Sequence, residues 1–149
     1  MSKREVGLLR LLQQPYSFGL DNPLTGTRRN IVAVDNATVV LTADQCGATV
    51  LLGGSGAGTA TLPSVENGVW FNFMVISAHQ HVINGGASVM QGCIHHNTNA
   101  TTTARVAASN ESSLTLHGSN AAIGDAVRIV SNGTNWYVDG LTNDVPVFA

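Results

Sequence analysis

The chain has 149 residues, of which 11% are charged and 44% apolar, and its formal net charge is −2. That length suits one domain with a real core, the apolar fraction excludes a disordered chain, and the small net charge excludes a strongly basic nucleic-acid binder. No run of 18 apolar residues occurs, so no membrane-spanning helix is expected, and so few charges imply a surface partly covered by other chains.

The charge is unevenly placed. Five of the seven basic residues, Lys3, Arg4, Arg10, Arg28 and Arg29, precede position 30, whereas the rest of the chain carries only Arg105 and Arg128 against seven acids. The basic part reads as a short helix and an irregular ribbon, and everything after it reads as short strands and turns. The expected organisation is an arm, residues 1–30, and a single β body, residues 31–149.

Ser2 and Glu5 form a capping-box pattern at the start of the arm. Val6, Leu9 and Leu12 recur at helical spacing, Leu8 and Leu11 widen the apolar stripe, and Pro15 stops it. The predicted helix spans about residues 3–14. Gly7 weakens it by about 1 kcal/mol relative to alanine, and a helix so short is marginal alone in water. Its leucines therefore need a surface. The ribbon that follows carries Pro15, Pro23 and two glycines, which forbid a regular element. Tyr16, Phe18, Leu20 and Leu24 are isolated apolar pegs along it, and Arg28 with Arg29 suits partner carboxylates. Leu8, Leu9, Leu11, Leu12, Tyr16, Phe18, Arg28 and Arg29 are thus the expected docking residues. No secretory leader is expected, because Arg10 interrupts the apolar stretch and no small-residue cleavage site follows.

In the body, turn signals recur about every 8 to 12 residues, as in sandwiches and barrels. Predicted strands are Ile31–Val34, Thr38–Thr42, Thr49–Leu52, Thr59–Leu62, Val69–Ile76, His81–Asn84, Ser88–Cys93, Ala104–Ala107, Ser113–His117, Ala126–Val130 and Thr134–Leu141. The near-continuous apolar run Val69–Ile76 suits a central strand. Asn132-Gly133 predicts a hairpin with a type I′ turn. Gly53–Gly58 is expected as a hairpin tip or loop and Asn97–Thr103 as an exposed loop. No internal repeat is discernible. The expected fold is all-β: a single antiparallel β-sandwich or barrel, jelly-roll-like, preceded by the extended arm.

Chemistry-bearing patterns are sparse. Gly53–Gly58 lacks the Gly-Lys-Ser/Thr of a phosphate loop and precedes a strand rather than a helix. No Gly-x-Ser-x-Gly elbow occurs, and the body's acids are scattered singly. His79-x-His81 and Cys93-x-His95 each place two metal-ligand types on one face of a strand. If those strands paired, they would approach a tetrahedral zinc site, but the spacing matches no zinc signature. No metal, no cofactor and no enzymatic activity are expected. Cys46 and Cys93 do not make a disulfide scaffold; buried free thiols are expected, with pairing left open.

The stretch from Val40 to Leu52 holds a Leu-Thr-Ala-x-x-x-Gly turn before a strand, and Thr59–Val75 holds a Thr-Leu-Pro strand end followed by a Gly-aromatic-x-Phe strand. With the closing hairpin Asn132–Gly140, these segments resemble the β-domains of tailed-bacteriophage virion proteins of the capsid decoration (cement) or fibre type. The resemblance covers about 100 residues of the body and none of the arm. It implies a sandwich or barrel protomer, commonly trimeric, on a virion, with no catalytic residues. Two functions follow as expectations. One is a capsid decoration protein on the outer capsid surface, held between major capsid subunits by its arm. The alternative is a fibre or spike or a host-glycan-binding module. The arm favours the first, since a helix and pegged ribbon suit anchoring to a shell. Neither nucleic acid nor membrane is an expected partner.

Overall fold

The computed structural model describes residues 30–99, 102–116 and 122–149. The predicted helix at 3–14, the ribbon and all eight expected docking residues lie outside the described residues. The body is all-β, as the turn spacing predicts. Its strands are β1 (Ile31–Asp35), β2 (Thr38–Val40), β3 (Thr49–Gly53), β4 (Gly58–Thr61), β5 (Asn67–Val75), β6 (His81–Asn84), β7 (Met90–Asn99), β8 (Thr102–Glu111), β9 (Ser113–Leu116), β10 (Ala126–Asn132), β11 (Trp136–Thr142) and β12 (Val147–Phe148). The short β12 has no counterpart among the predicted strands.

The pairing is not purely antiparallel. A seven-stranded sheet runs β1-β3-β5-β10-β11-β7-β8 and a five-stranded sheet runs β12-β9-β6-β4-β2. The first six strands alternate between the sheets. As a result β1, β3 and β5 stack in parallel in one sheet, and β2, β4 and β6 stack in parallel in the other. The chain thus makes three turns of a two-sided coil before the later strands add mainly antiparallel pairs. A parallel partner cannot follow through a tight hairpin; here the crossover is a strand of the opposite sheet. Gly53–Gly58 is accordingly no hairpin tip, because it carries the chain from β3 to β4 in the other sheet.

Two more local expectations change. Strands β7 and β8 run on into the Asn/Thr-rich segment, with Asn97 opposite Thr103, so most of the expected loop is ladder. The Asn132-Gly133 hairpin forms, but the last registered pair is Ser131 with Trp136, which leaves four residues in the turn. Gly133 has φ 89° and Asn132 does not have a positive φ, so the turn is not type I′. Instead the Asn132 side-chain oxygen accepts hydrogen bonds from the Thr134 N–H (3.0 Å) and the Asn135 N–H (2.9 Å). That is the asparagine-turn chemistry which replaces a tight backbone turn.

Alternation builds the core. Val69, Phe71, Phe73 and Val75 of β5, Val127 and Ile129 of β10, and Trp136 and Val138 of β11 point inward. They meet Ala60, Ile83, Leu114 and Leu116 of the five-stranded sheet in one cluster. Phe71 lies 6.4 Å from Phe73 and 6.4 Å from Trp136 between ring centroids, in tilted geometry.

Candidate docking surface on the seven-stranded sheet

The face of the seven-stranded sheet that points away from the core is organised in cross-strand rows. One row crosses all seven strands: Ala33, Leu51, Met74, Ala126, Leu141, His95 and Arg105 are successive registered partners. The next row is mostly polar, with Asn72, Arg128, Asp139 and Cys93 side by side. A third aligns Trp70, Val130, Tyr137 and Gln91. The physical origin is the composition of β5 and β11. Trp70 and Met74 alternate with the core side chains of β5, as Tyr137 and Leu141 do in β11, so both faces of these strands carry large apolar groups. A strand of that kind normally lies in a sheet covered on both sides.

The exposure is substantial. Ile31 is 61%, Leu141 57%, Met74 42% and Tyr137 39% exposed. Between the rows lies a groove of about 650 Å³, lined by Met74, Leu141, Asn72, Arg128, Asp139 and His95 among others. The Arg128 guanidinium sits 5.9 Å from the Trp70 ring centroid, on the cation–π side of that ring. The opposite sheet differs. Its outward positions are occupied largely by Thr38, Thr59, Thr61, Asn84, Ser113 and Thr115, with Val82 on the central strand and Val40 and Val147 at the two edge strands.

The candidate metal ligands are not brought together. His81 is in β6 of the five-stranded sheet, with its ring fully buried. Cys93 and His95 are in β7 of the seven-stranded sheet, on the outward face, and His79 lies in the bend before β6. Strands β6 and β7 are therefore not the antiparallel neighbours that a shared site requires. Among the described residues, no three His, Cys, Asp or Glu side chains are grouped as a metal site would need. Cys46 and Cys93 are both free and half-buried.

The buried titratable groups have structural partners. The Nε2 of His81 lies 3.3 Å from the Ser77 carbonyl oxygen, while its Nδ1 has no hydrogen-bond partner. Burial lowers the His81 pKa below 6.5; the Ser77 carbonyl pulls it back and His79 adds to the lowering. Asp125 accepts hydrogen bonds from the Ala122 N–H (3.1 Å) and the Asn143 N–H (2.9 Å). It staples two loops, and burial raises its pKa despite those donors. The carboxylate thus serves loop geometry by accepting from two backbone N–H groups.

Residue-by-residue reading missed Met74, Tyr137 and Leu141. For Met74 the signal was present in the near-continuous apolar run Val69–Val75, broken only by Asn72, which marks a strand with two largely apolar faces. No known protein family, curated protein or solved structure matches this chain.

Proposed function

We propose that this chain is a viral structural protein, a capsid decoration (cement) protein that stabilises a phage head by binding between major capsid subunits. In this reading the body is a jelly-roll-like β-sandwich on the outer capsid surface, residues 1–30 form the docking arm, and the protein assembles as a homotrimer. It works without cofactor, metal, nucleic acid or membrane and catalyses no reaction. Leu8, Leu9, Leu11 and Leu12 anchor the arm, Tyr16 and Phe18 fill grooves, and Arg28 and Arg29 pair with carboxylates.

The observation that carries the reading is the apolar outward face of the seven-stranded sheet, from Ile31 to Leu141. Large contiguous apolar patches on soluble proteins mark interaction surfaces. A second apolar sheet face in a chain with only 11% charged residues suits a protein that spends its working life covered. The motifs from Val40 to Leu52 and from Thr59 to Val75 add the resemblance to virion β-domains.

The test is co-sedimentation of the purified protein with undecorated head shells, together with its solution mass. The expected result is saturable binding and a mass about three times that of the 15.5 kDa chain. Failure to bind shells, combined with binding to a host-glycan panel that is lost in Tyr137→Ala, would favour the fibre or glycan-binding module instead.

A further inference from the structure

We infer that Asn67 is a site of spontaneous covalent modification. Its side-chain amide condenses with the next backbone nitrogen and is converted to aspartate or isoaspartate, while the fold protects the other two Asn-Gly pairs of the chain. The inference goes beyond the decoration reading and does not rest on it.

The three pairs are Asn67-Gly68, Asn84-Gly85 and Asn132-Gly133. Asparagine before glycine is a labile arrangement, because no side chain shields the following backbone nitrogen. In the reaction the Gly68 amide nitrogen loses its proton and attacks the Asn67 Cγ. The new C–N bond closes a succinimide ring, and the side-chain nitrogen leaves as ammonia. Water then adds to one of the two ring carbonyls and opens the ring. The product is either an aspartate or an isoaspartate, in which the backbone is longer by one methylene group. The only co-reactant is water. The asparagine side chain must swing onto the next nitrogen, so whatever fixes either group slows the step.

The fold fixes two of the pairs. The Asn132 Oδ1 accepts hydrogen bonds from the Thr134 N–H (3.0 Å) and the Asn135 N–H (2.9 Å), and its Nδ2 donates to the Tyr137 hydroxyl at 3.3 Å. The Gly133 N–H, the attacking group there, donates to the Ser131 Oγ at 3.0 Å. The Asn84 Oδ1 accepts from the Gly86 N–H at 3.1 Å, and the Gly85 N–H donates to the Ser112 carbonyl at 2.9 Å. Gly85 is also buried against the Met90 side chain.

Asn67 differs on each count. It is the first residue of β5, and both it and Gly68 are exposed. Among the described residues its side chain has no hydrogen-bond partner. Gly68 has φ 85°, and nothing lies within 4 Å of the place a Cβ would take. Asn67 is registered with Asn132 only beyond an irregularity in the β5–β10 ladder, and Gly68 has no registered partner on β10 or β3. The turn across the pair is closed by a long hydrogen bond, from the Val69 N–H to the Glu66 carbonyl at 3.4 Å. Side chain and backbone are therefore free to reach the ring-closing geometry. The aspartate product sets a second carboxylate beside Glu66, and the isoaspartate product lengthens the chain where β5 begins to pair with β10.

The test follows the full-length native protein in mildly alkaline buffer, with peptide mapping by mass spectrometry to read the exchange of amide for carboxylate at each pair. Asn67 is expected to convert at least about tenfold faster than Asn84 or Asn132, whereas in urea the three rates should fall within about threefold of one another. Comparable native rates at the three pairs, or a faster Asn84 or Asn132, overturn the inference. So does a lead for Asn67 that is equally large in urea, since the fold would then play no part. Ion-exchange chromatography of Asn67→Gln gives a second reading. The acidic form that accumulates in the parent should appear at least about tenfold more slowly in the variant, and accumulation at the parent's rate overturns the inference.

Discussion

Met74 and Leu141 flank the same small residue, Ala126, from opposite sides on the outward face of the seven-stranded sheet. Directly behind this row, Phe73 and its registered partner Val127 point into the protein. The centre of the sheet is therefore apolar in front as well as behind, and this arrangement separates residues that hold the core from residues that face outward.

Neighbours in sequence should then behave oppositely. Trp136 is fully buried against Phe71, whereas Tyr137, the next residue, stands outward. Trp136→Ala is expected to destabilise the body by about 3–5 kcal/mol. Tyr137→Ala should cost less than about 1 kcal/mol in folding. Chemical denaturation of both variants measures the contrast, and equal losses would contradict the assignment of faces.

Gly92 in β7 has φ 124°, and a Cβ there would run into the Val138 carbonyl oxygen of the adjacent strand. Neither problem can be relieved by a side-chain movement, since the obstacle is backbone. Gly92→Ala is expected to lose roughly 2–4 kcal/mol of stability. A melting temperature within experimental error of the parent would show that β7 and β11 are not in this register.

The pH dependence of stability should carry the signature of His81. Its folded-state pKa is depressed by burial below the 6.5 of an ordinary histidine. The stability it contributes is therefore fully present above 6.5 and is lost as the pH falls through the lower folded value. Asp125 acts in the opposite direction, because its raised pKa favours the folded state at low pH and that contribution fades as the pH rises through the folded value. The comparison with His81→Leu isolates the histidine. Between neutral and mildly acidic pH the parent should lose more of its melting temperature than the variant, and parallel profiles would rule His81 out as the cause.

Separation of His81 from Cys93 and His95 into different sheets leads to a simple expectation for metals. Treatment with EDTA should move the melting temperature by less than about 2 °C. A larger fall, reversed by zinc, would require His79, His81, Cys93 and His95 to gather in a way this fold does not allow.

Much of the strand content was legible because it depends on local alternation. The run Val69–Ile76 announces β5, and the Asn132-Gly133 dipeptide announces the β10–β11 hairpin. The coil of the first six strands was not legible. Its registered positions lie 18 residues apart between Ile31 and Thr49 but 23 apart between Thr49 and Asn72. Unequal turns erase the self-similarity by which a repeat is recognised, although strand stacks on strand. The histidine and cysteine pattern was undecided by sequence for a related reason. Spacing places two side chains on one face of a strand, but it carries no information about which sheet that strand joins.

The sequence by itself determined that the body is all-β, where most strands lie, that Val69–Ile76 is a central strand, and that basic charge gathers ahead of residue 30. These properties follow from side-chain period, turn chemistry and composition, all of which act within a few residues. Only the tertiary structure decided that successive strands alternate between two sheets, that His81 and Cys93 part company, and that Met74 and Leu141 meet across Ala126. Strand pairing is a choice among distant partners, made by the fit of the whole core around Phe71 and Trp136, and no local pattern encodes it.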